Sequence, residues 1–461
     1  MKVCMFVYNN FKNDARVLKE AKSLVAAGYS VTVVALLDKT TQPYEEKDGI
    51  RIIRVTPNPL HQRILYSWRS SVESFKETSI GQAIKPIWKS LRAEETGGVE
   101  LQQESTQENG KLLAVAKPVE HTQAKKRDIK ALIKQRIRSE IPLLYRFLSF
   151  VDFYDKAFKA IANEPADIYH GHDLTALPVT YQAAQRHGAK FVYDSHELFL
   201  ERNTLQPISQ TEKYLWRRLE GFLIRRASAV ITVSDSIANE LAQRYQIKNP
   251  TVIMNAPSQK RAIPNDQDRN LRAALGVSDE YYLLLYSGVR TFNRGLEKLI
   301  ESLVYLPKCH LVLLGMGADQ YNKKLQTLAQ EVGVRSRVSF FGPVPSEQVT
   351  AYAASADLGV APIENVCLSY YYCSPNKLFE YINAGLPAIG SNFPEMKKVI
   401  EQFEVGCTFD PSSPQNIAQA VLHMLEDSEK LQRMKQNTFI AAQVYNWENE
   451  SKKLIELYSQ L

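Results

Sequence analysis

The sequence predicts an α/β protein made of two doubly wound parallel sheets that face each other across a cleft. Three observations support this prediction. Short apolar runs with strand character alternate with segments of helical apolar spacing along most of the chain. The alternation breaks at 257–270, where prolines and charged residues are typical of a linker. With 461 residues and 44% apolar content, the chain is long enough to bury two such cores.

The first series of elements starts at the amino terminus. Residues 2–8 form a strand-like run, 15–27 show helical spacing that ends at Gly28, and 29–36 return to a strand pattern. Together they predict a βαβ unit. Further strand-like runs follow at 50–55, 167–170, 190–193 and 229–233.

A long polar stretch interrupts this first series. Residues 93–110 are rich in Glu, Gln and Gly and poor in apolar side chains, which predicts disorder. We therefore predict a first domain over 1–256 that carries a disordered or helical insertion at about 70–140, followed by the linker 257–270.

A second series of strands alternates with helices after the linker and predicts a second Rossmann-like domain over 271–440. Its strand-like runs lie at 281–287, 310–314, 338–341, 358–361 and 388–389. Ligands of such sheets bind beyond the carboxyl ends of the strands, so the cleft between the two domains is the expected site.

The stretch from Ser374 to Tyr381 predicts a helix start suited to an anion. Ser374 can cap the helix, Pro375 suits its first position, and Asn376 and Lys377 follow in the first turn. The free N–H groups and the helix dipole would stabilise a phosphate there. Glu380 lies one turn after Asn376, so its carboxylate can accept hydrogen bonds from the hydroxyls of a ribose. The pattern favours a nucleotide, although an ordinary helix start has the same residues.

Glycines end successive strands of the second half and favour close approach of a ligand to the backbone. Arg294, next to a glycine at the start of a helix, can pair with phosphate oxygens in a bidentate manner. Each glycine taken alone could equally serve only to end a strand in a turn. The glycines of these loops are Gly288, Gly315, Gly317 and Gly342.

Polar clusters follow two strands of the first half, one after the run at 167–170 and one after the run at 190–193. A histidine at a strand end, such as His172, can donate a hydrogen bond to a substrate. The two histidines His170 and His172, separated by one residue, could also indicate a metal site. Since spacing specifies no further ligands, we predict no metal. The candidate acceptor-side residues are Asp14, Arg16, Asp173, His196 and Glu197, although Asp14 and Arg16 could equally form a local ion pair. His170 lies closer to the strand interior, where a core histidine is expected.

The net charge of +7 is concentrated in one stretch. Residues 125–146 contain eight basic and two acidic residues interleaved with Ile and Leu, a basic amphipathic pattern that could contact a membrane surface. A helix that packs on its own domain would show the same pattern. No nucleic-acid-binding module accompanies the charge. Apolar runs are shorter than a membrane helix needs and the five cysteines show no paired spacing, so we expect a cytoplasmic protein. Contact through the basic stretch would make it peripheral at the inner face of the membrane.

These residues resemble those of the retaining glycosyltransferases of family 4, which have the GT-B fold. The resemblance covers most of the chain outside about 70–140. It rests on an Asn-Asp-Ala-Arg-Val element at 13–17, the His-x-His-Asp element at 170–173, Tyr-Asp-Ser-His-Glu at 193–197, Val-Ile-Met-Asn at 252–255, the glycine loops, and the Ser-Pro-Asn-Lys-Leu-Phe-Glu element at 374–380. Trp447 and Tyr458 resemble the terminal helix of the family, which implies that 441–461 cross back to the first domain.

The resemblance implies roles for individual residues. Glu380 would hold the ribose, Arg294 and the amides around Asn376 and Lys377 the diphosphate, and His172 the donor sugar near the reacting carbon. His172 and Glu380 are accordingly the candidate catalytic residues. Two positions depart from the family pattern: Tyr372 stands where the first Glu of a paired-glutamate motif is expected, and Val289 replaces an arginine for which Arg290 is a possible substitute.

The predicted activity is metal-independent transfer of a sugar from a nucleotide-sugar donor, a substrate rather than a cofactor, to a saccharide or lipid-linked acceptor in cell-surface polysaccharide or glycolipid synthesis. Retention of configuration is implied by the resemblance. Two alternatives stay open at this point. A sugar-nucleotide epimerase shares the architecture, and a non-catalytic nucleotide-sugar-binding or scaffold subunit is suggested by Tyr372.

Overall fold

The computed structural model describes residues 1–56, 147–204, 208–259 and 270–461. The chain divides into two compact units, one of Met1–Val55 with Ala157–Leu461 and the other of Thr56–Lys156. The large unit contains both sheets. The predictions for the insertion at about 70–140, the basic stretch 125–146 and most of the linker 257–270 lie outside the described residues.

The first sheet of the described chain has eight strands in the order β3-β4-β2-β1-β5-β6-β7-β8. All neighbours pair in parallel except β3 and β4, which form an antiparallel edge. The strands are β1 (Lys2–Phe6), β2 (Ser30–Leu36), β3 (Tyr44–Lys47), β4 (Ile50–Val55), β5 (Ile168–His172), β6 (Lys190–Ser195), β7 (Ala229–Thr232) and β8 (Thr251–Val252).

The chain winds to one side of β1 through β2 and β4, then returns to its other side through β5, β6 and β7. The order therefore reverses between β1 and β5, the point where doubly wound sheets bind ligands. We call the part of the chain built on this sheet the first lobe. Its described helices are Ala15–Ala26, Asp173–His187, Gln210–Ile224 and Asp235–Tyr245, with a 3₁₀ turn at Phe199–Glu201. A further helix at 147–161 begins in the smaller unit.

The second sheet has six parallel strands in the order β11-β10-β9-β12-β13-β14 among the described residues. Its order reverses between β9 and β12, so both sheets have a switch point of the same kind. We call this part the second lobe. The strands are β9 (Tyr282–Ser287), β10 (Cys309–Leu314), β11 (Val338–Phe341), β12 (Leu358–Ala361), β13 (Ala388–Ser391) and β14 (Gly406–Phe409).

Helices cover both faces of the second sheet, and two apolar clusters form the core of this lobe, one on each side. Strands β10 and β12 are buried along their whole length, as expected of parallel strands with helices on both faces. The helices are Leu271–Leu275, Leu296–Ser302, Asp319–Glu331, Val349–Ala353, Leu368–Tyr371, Asn376–Asn383, Pro394–Gln402, Pro414–Leu425 and Ser428–Val444, with 3₁₀ turns at Leu303–Tyr305, Arg335–Arg337 and Ser346–Gln348.

The last helix, Trp447–Ser459, belongs to the core of the first lobe. Its Trp447 Nε1 donates to Ser23 Oγ at 2.9 Å, and Tyr458 packs edge-on to Tyr29. The backbone N–H of Trp447 also donates to the carbonyl of Pro257 at 2.9 Å. The chain thus returns to its first lobe beside the point where it left it.

The predicted fold class is confirmed, with some differences in detail. The edge strand β3, the two-residue strand β8 and strand β14 are not predicted by the sequence pattern. The terminal segment contains two helices, Ser428–Val444 and Trp447–Ser459, so the crossing comes at 445–446. Among the helices that the structure describes, none combines the length and the apolar character needed to span a bilayer.

Candidate functional site

A cleft of about 600 Å³ lies between the two lobes, at the carboxyl ends of their central strands. It is lined mainly by polar side chains that come from both sheets. Its first-lobe residues are Asn9, Asn10, Asn13, Asp14, Ala15, Arg16, His196, Glu197, Val233, Ile237 and Asn255, and its second-lobe residues are Arg294, Ser369, Tyr370, Cys373, Ser374, Pro375 and Asn376.

The amino end of helix Asn376–Asn383 borders this cleft, as predicted. The helix begins at Asn376 with Pro375 as its N-cap, so the predicted cap at Ser374 is one residue too early. Pro375 has no N–H and offers no capping side chain, and no side-chain hydrogen bond caps the helix. The Leu378 N–H donates to the carbonyl of Pro375 at 3.0 Å, so the N–H groups of Asn376 and Lys377 are those that this helix start offers to an anion at the cleft.

Lys377 of the same turn is buried against the end of β9. Its Nζ lies 3.6 Å from the centre of the Tyr286 ring, and Gly288 is the neighbouring backbone. Burial, helped by the charge of Arg294, lowers the pKa of Lys377 well below its usual value. The amine is therefore held in a site that lacks a full counter-charge.

Glu380, one turn further, accepts a hydrogen bond from Ser287 Oγ at 3.1 Å. Burial raises the pKa of the Glu380 carboxyl, although Ser287 and Lys377 oppose the change. Tyr381 fixes this helix to the sheet: its hydroxyl accepts from the N–H of Ser287 at 2.9 Å and donates to Leu285 O at 3.1 Å. The carboxylate is thus held rigidly at the end of β9.

Arg294 lines the cleft from the loop after β9. Its guanidinium lies 4.7 Å from the centre of the Tyr370 ring. The next residue, Gly295, has φ +70°, and a Cβ there would lie 1.8 Å from the carbonyl oxygen of Pro362. Only glycine fits this turn, which holds Arg294 in place.

Arg290, predicted as a donor-binding residue, is placed elsewhere. It is 6% exposed, and its guanidinium donates to Asn322 Oδ1 at 2.8 Å and to Leu313 O at 2.9 Å. Since these contacts turn the side chain into the second lobe, Arg290 does not substitute for the arginine that Val289 replaces.

The glycines at the strand ends pack against one another rather than against open space. A Cβ on Gly315 would lie 2.1 Å from Gly288 O, and one on Gly317 would lie 2.8 Å from Arg290 Cβ. Gly342, with φ +78°, lies beside Gly315. The close packing of loops explains these glycines, and none of the four lines the cleft described above.

On the first lobe, Asp14 and Arg16 do not form the local ion pair that the sequence left open. Asp14 caps helix Ala15–Ala26 by accepting from the N–H of Val17 at 3.1 Å. Arg16 instead forms a bidentate ion pair with Asp194 and contacts Glu20 Oε1 at 3.0 Å. Arg16 and Asp14 both line the cleft, and Arg16 is held from beneath.

His196 is the histidine that reaches the cleft. Its side chain is 20% exposed, and its ring lies 3.0 Å from Asp194 Oδ2 and 3.4 Å from Asp173 Oδ2. Burial opposes the charged imidazolium, but Asp173 and Asp194 outweigh it and raise the pKa of His196 to about 10. A protonated His196 therefore faces the ligand space beside Glu197.

His172 differs from its predicted position. Its side chain is buried, and its Nδ1 lies 3.4 Å from Asp194 Oδ2 and 3.3 Å from His196 Nε2. As the last residue of β5 it points to the same side of the sheet as His170, into the interior. His172 reaches the cleft only through Asp194 and His196.

Beneath these residues lies a buried cluster with donor atoms within 4.8 Å of one another: Glu20, His170, His172 and Asp194. Burial lowers the pKa of both histidines, and Asp194 is held well below its usual pKa by Arg16 and His196 despite its burial. Burial and the charge of Asp194 raise the pKa of Glu20 to about 8, against the effect of Arg16. A divalent cation would add charge beside Arg16 and the protonated His196, so these donors fit an ion-pair network better than a metal.

The structure brings together many of the predicted site residues and separates others. In the cleft lie Asp14, Arg16, His196, Glu197, Arg294, Ser374 and Asn376. Lys377, Glu380 and Asp173 are not among the described residues that line this cleft. Asp173 Oδ1 accepts a hydrogen bond from the backbone N–H of His196 at 3.2 Å. Prediction missed Asn9, Asn10, Asn13, Asn255, Ser369, Tyr370 and Cys373. Asn9 and Asn10 lie in the loop that follows β1, so the strand-end argument used for the histidines would have found them.

Comparisons with known proteins fit this architecture. Residues 113–256 match the family described as Glycosyltransferase Family 4, and residues 267–440 match Glycosyl transferases group 1. An uncharacterized glycosyltransferase of Methanocaldococcus jannaschii is 27% identical over 241 residues, which are 50% of this chain and 59% of that relative.

Two solved structures are similar along the whole chain. Sucrose-phosphate synthase of Thermosynechococcus elongatus has a TM-score of 0.71 and 18% identity, covering 100% of this chain and 98% of that one. HepE of Anabaena in complex with UDP has a TM-score of 0.66 and 18% identity, covering 100% of both chains, and HepE has also been solved with UDP-glucose.

The two Rossmann-like lobes and the matches to these relatives identify the chain as a glycosyltransferase with the GT-B fold. The chain belongs to glycosyltransferase family 4. The family prediction is thereby confirmed.

Proposed function

We propose that this enzyme moves a sugar from a nucleotide-sugar donor to a saccharide or lipid-linked acceptor in the synthesis of a cell-surface polysaccharide or glycolipid. One observation carries the proposal: Arg294 and the uncapped amino end of helix Asn376–Asn383 border the same cleft, with Glu380 one turn along that helix. The UDP and UDP-glucose complexes of HepE support a nucleotide donor in a cleft of this fold.

The second lobe supplies the groups that stabilise a departing nucleoside diphosphate. Arg294 and the helix amides would bind its phosphate oxygens, and Lys377 would approach through the loop at Gly288. Because this charge develops as the glycosidic bond breaks, groups held in place beforehand stabilise the transition state most. We infer that these groups neutralise the leaving group without a metal. The Glu380 carboxylate is suited to the ribose hydroxyls.

The first lobe supplies the acceptor side. His196, protonated and facing the cleft, can donate a hydrogen bond to a sugar oxygen, while Asp14 and Glu197 offer acceptors to hydroxyl groups. We assign His172 a positioning role, since it holds Asp194, which in turn holds His196. With retention of configuration, the leaving phosphate would take the proton of the acceptor hydroxyl on the same face of the sugar.

The test is a nucleotide-release assay with the full-length protein. UDP-, GDP-, ADP- and dTDP-sugars are each incubated with and without membranes or saccharide acceptors, and sugar products are identified. Acceptor-dependent release of one nucleotide is the expected result. Conversion of the donor sugar without an acceptor would instead identify an epimerase, and donor binding without turnover on any acceptor would identify a binding subunit.

Variants connect this activity to the cleft. Glu380→Ala should weaken donor affinity by about tenfold or more through loss of the ribose contact. His196→Ala should lower turnover with little change in donor affinity. Glu401→Gln, on an exposed pair with Lys397, is the matched control and should behave as the wild type. Wild-type kinetics in both site variants would overturn the assignments.

A further inference from the structure

The outward face of helix Gln210–Ile224 exposes large apolar side chains. Tyr214, Leu215 and Phe222 are 59%, 60% and 45% exposed. Their spacing puts them on one side of the helix, opposite the buried Leu223 and Ile224. The Phe222 ring packs edge-on to Tyr181 at 6.0 Å. Even so, a helix that packs on its own lobe does not need three large apolar side chains this exposed on its solvent side, so the row calls for another contact.

The charges of this helix are sorted between its two sides. The two acidic residues point inward: Glu212 is 7% exposed, and Glu220, 2% exposed, accepts from the hydroxyls of Tyr193 and Tyr245. The exposed basic residues of the helix and its carboxyl end are Arg217, Arg218, Arg225 and Arg226. Lys213 is half-buried, and the Arg225 guanidinium donates to the carbonyl of Tyr245 at 2.9 Å.

Two of these arginines lie directly over the exposed rings. The Arg226 guanidinium is 3.6 Å from the centre of the Phe222 ring, and that of Arg218 is 5.9 Å from the Tyr214 ring. Lys213 and Arg217, by contrast, pair with Glu201 at 2.5 and 3.1 Å. The exposed apolar side chains therefore have cationic groups beside them, chiefly those of Arg218 and Arg226.

We propose that this face, formed by Tyr214, Leu215, Arg218, Phe222 and Arg226, docks the first lobe on an anionic lipid bilayer. Apolar side chains that enter the boundary of the acyl chains, next to arginines that reach lipid phosphates, are the pattern of helices that lie in a membrane interface. Tyrosine is also suited to the level of the headgroups. A protein partner would need an acidic surface of several hundred Å² opposite this single helix, whereas a bilayer supplies apolar and anionic groups together.

This surface differs from the basic stretch 125–146 and does not depend on which sugar is transferred. It lies on the lobe that we assign to the acceptor, and a lipid-linked acceptor would be met at the same membrane. The inference goes beyond the proposed activity, and its test uses no turnover.

Vesicle sedimentation of the full-length protein tests the inference. The wild type should bind vesicles of phosphatidylcholine with phosphatidylglycerol, bind phosphatidylcholine alone weakly, and lose affinity as salt is added. Leu215→Ser with Phe222→Ser should lower the partition by about tenfold or more. Arg218→Gln with Arg226→Gln should remove most of the preference for anionic lipid.

Two further variants serve as controls. Phe439→Ser with Ile440→Ser removes equally exposed apolar side chains, both 56% exposed, from helix Ser428–Val444 and should bind as the wild type. Lys125→Gln, Lys126→Gln and Arg127→Gln together probe the basic stretch. Circular dichroism establishes that each variant is folded.

Failure of the wild type to bind anionic vesicles would overturn the proposal. Equal binding by the Leu215→Ser and Phe222→Ser variant would do so as well, and so would loss of binding in the basic-stretch variant alone.

Discussion

Arg16 holds Asp194 in a bidentate ion pair, with Nε 3.0 Å from Oδ2 and Nη2 2.9 Å from Oδ1. The pair joins the first helix of the chain to the end of β6, two segments 178 residues apart in the sequence. Asp194 in turn contacts His172 and His196, so one carboxylate sets the position of the histidines on this side of the cleft.

Asp194→Asn should therefore destabilise the protein strongly. The substitution leaves the buried Arg16 without one of its two carboxylates, and breaking a buried pair costs about 3–5 kcal/mol. Urea unfolding measures the loss. Glu401→Gln removes one side of an exposed pair at 3.8 Å and should cost less than about 1 kcal/mol. Equal effects of the two substitutions would contradict the central position of Asp194.

The charge on His196 predicts a pH dependence of stability. Its pKa of about 10 in the folded protein lies above the ordinary value of 6.5. The stabilisation is therefore fully present below pH 6.5 and is lost as the pH rises through about 10. The difference in unfolding free energy between the wild type and His196→Gln should shrink by at least about 1 kcal/mol over that window. A difference that stays constant with pH would show that His196 is neutral.

Lys377 predicts proton uptake on ligand binding. Its pKa is lowered by burial in the free protein, and a bound diphosphate would favour the charged amine. UDP binding should therefore take up protons in the pH range where Lys377 of the free protein titrates, and the apparent binding enthalpy there should vary between buffers of different ionisation enthalpy. Titration calorimetry measures this variation, and Lys377→Met should abolish it. Buffer-independent enthalpies in the wild type would refute the prediction.

Two glycines with the same backbone preference offer a matched test of the Arg294 loop. Gly295 and Gly276 have φ of +70° and +62°, but only Gly295 has a backbone oxygen where a Cβ would lie. Gly276→Ala should cost about 1 kcal/mol. Gly295→Ala should cost more than about 3 kcal/mol, or weaken nucleotide affinity by displacing Arg294. Thermal unfolding and UDP titration of both variants distinguish these effects, and similar results for the two would remove the special role of the turn.

The sequence predicts the fold well where the pattern is local. Continuous apolar strands such as 310–314 identify a buried parallel sheet, and the element at 374–380 correctly predicts the start of helix Asn376–Asn383. Strand β3, with the sequence Tyr-Glu-Glu-Lys, is missed because its polar residues lie at an edge with one partner. Strand β14, Gly-Cys-Thr-Phe, carries too little apolar pattern in four residues.

Site residues are predicted less evenly, because their roles depend on distant partners. Spacing shows that His172 and His196 lie at neighbouring strand ends. It does not show that Asp194, held by Arg16, leaves His196 at the cleft and His172 buried beneath it. Arg290 has the residue type and position of a phosphate ligand, yet Asn322 and Leu313 take its guanidinium. Such competition between long-range contacts leaves no trace in local sequence.

The hydrogen bond between Trp447 and Pro257 joins the two places where the chain passes between its lobes. Two neighbouring connections between the lobes restrict rotation of one lobe against the other, whereas a single connection would permit it. Twisting of one lobe against the other would strain this bond, while bending about it would not. A motion of the lobes that keeps this bond would therefore be a bending about it, and such a motion would bring Arg294 and His196 back to the same relative position.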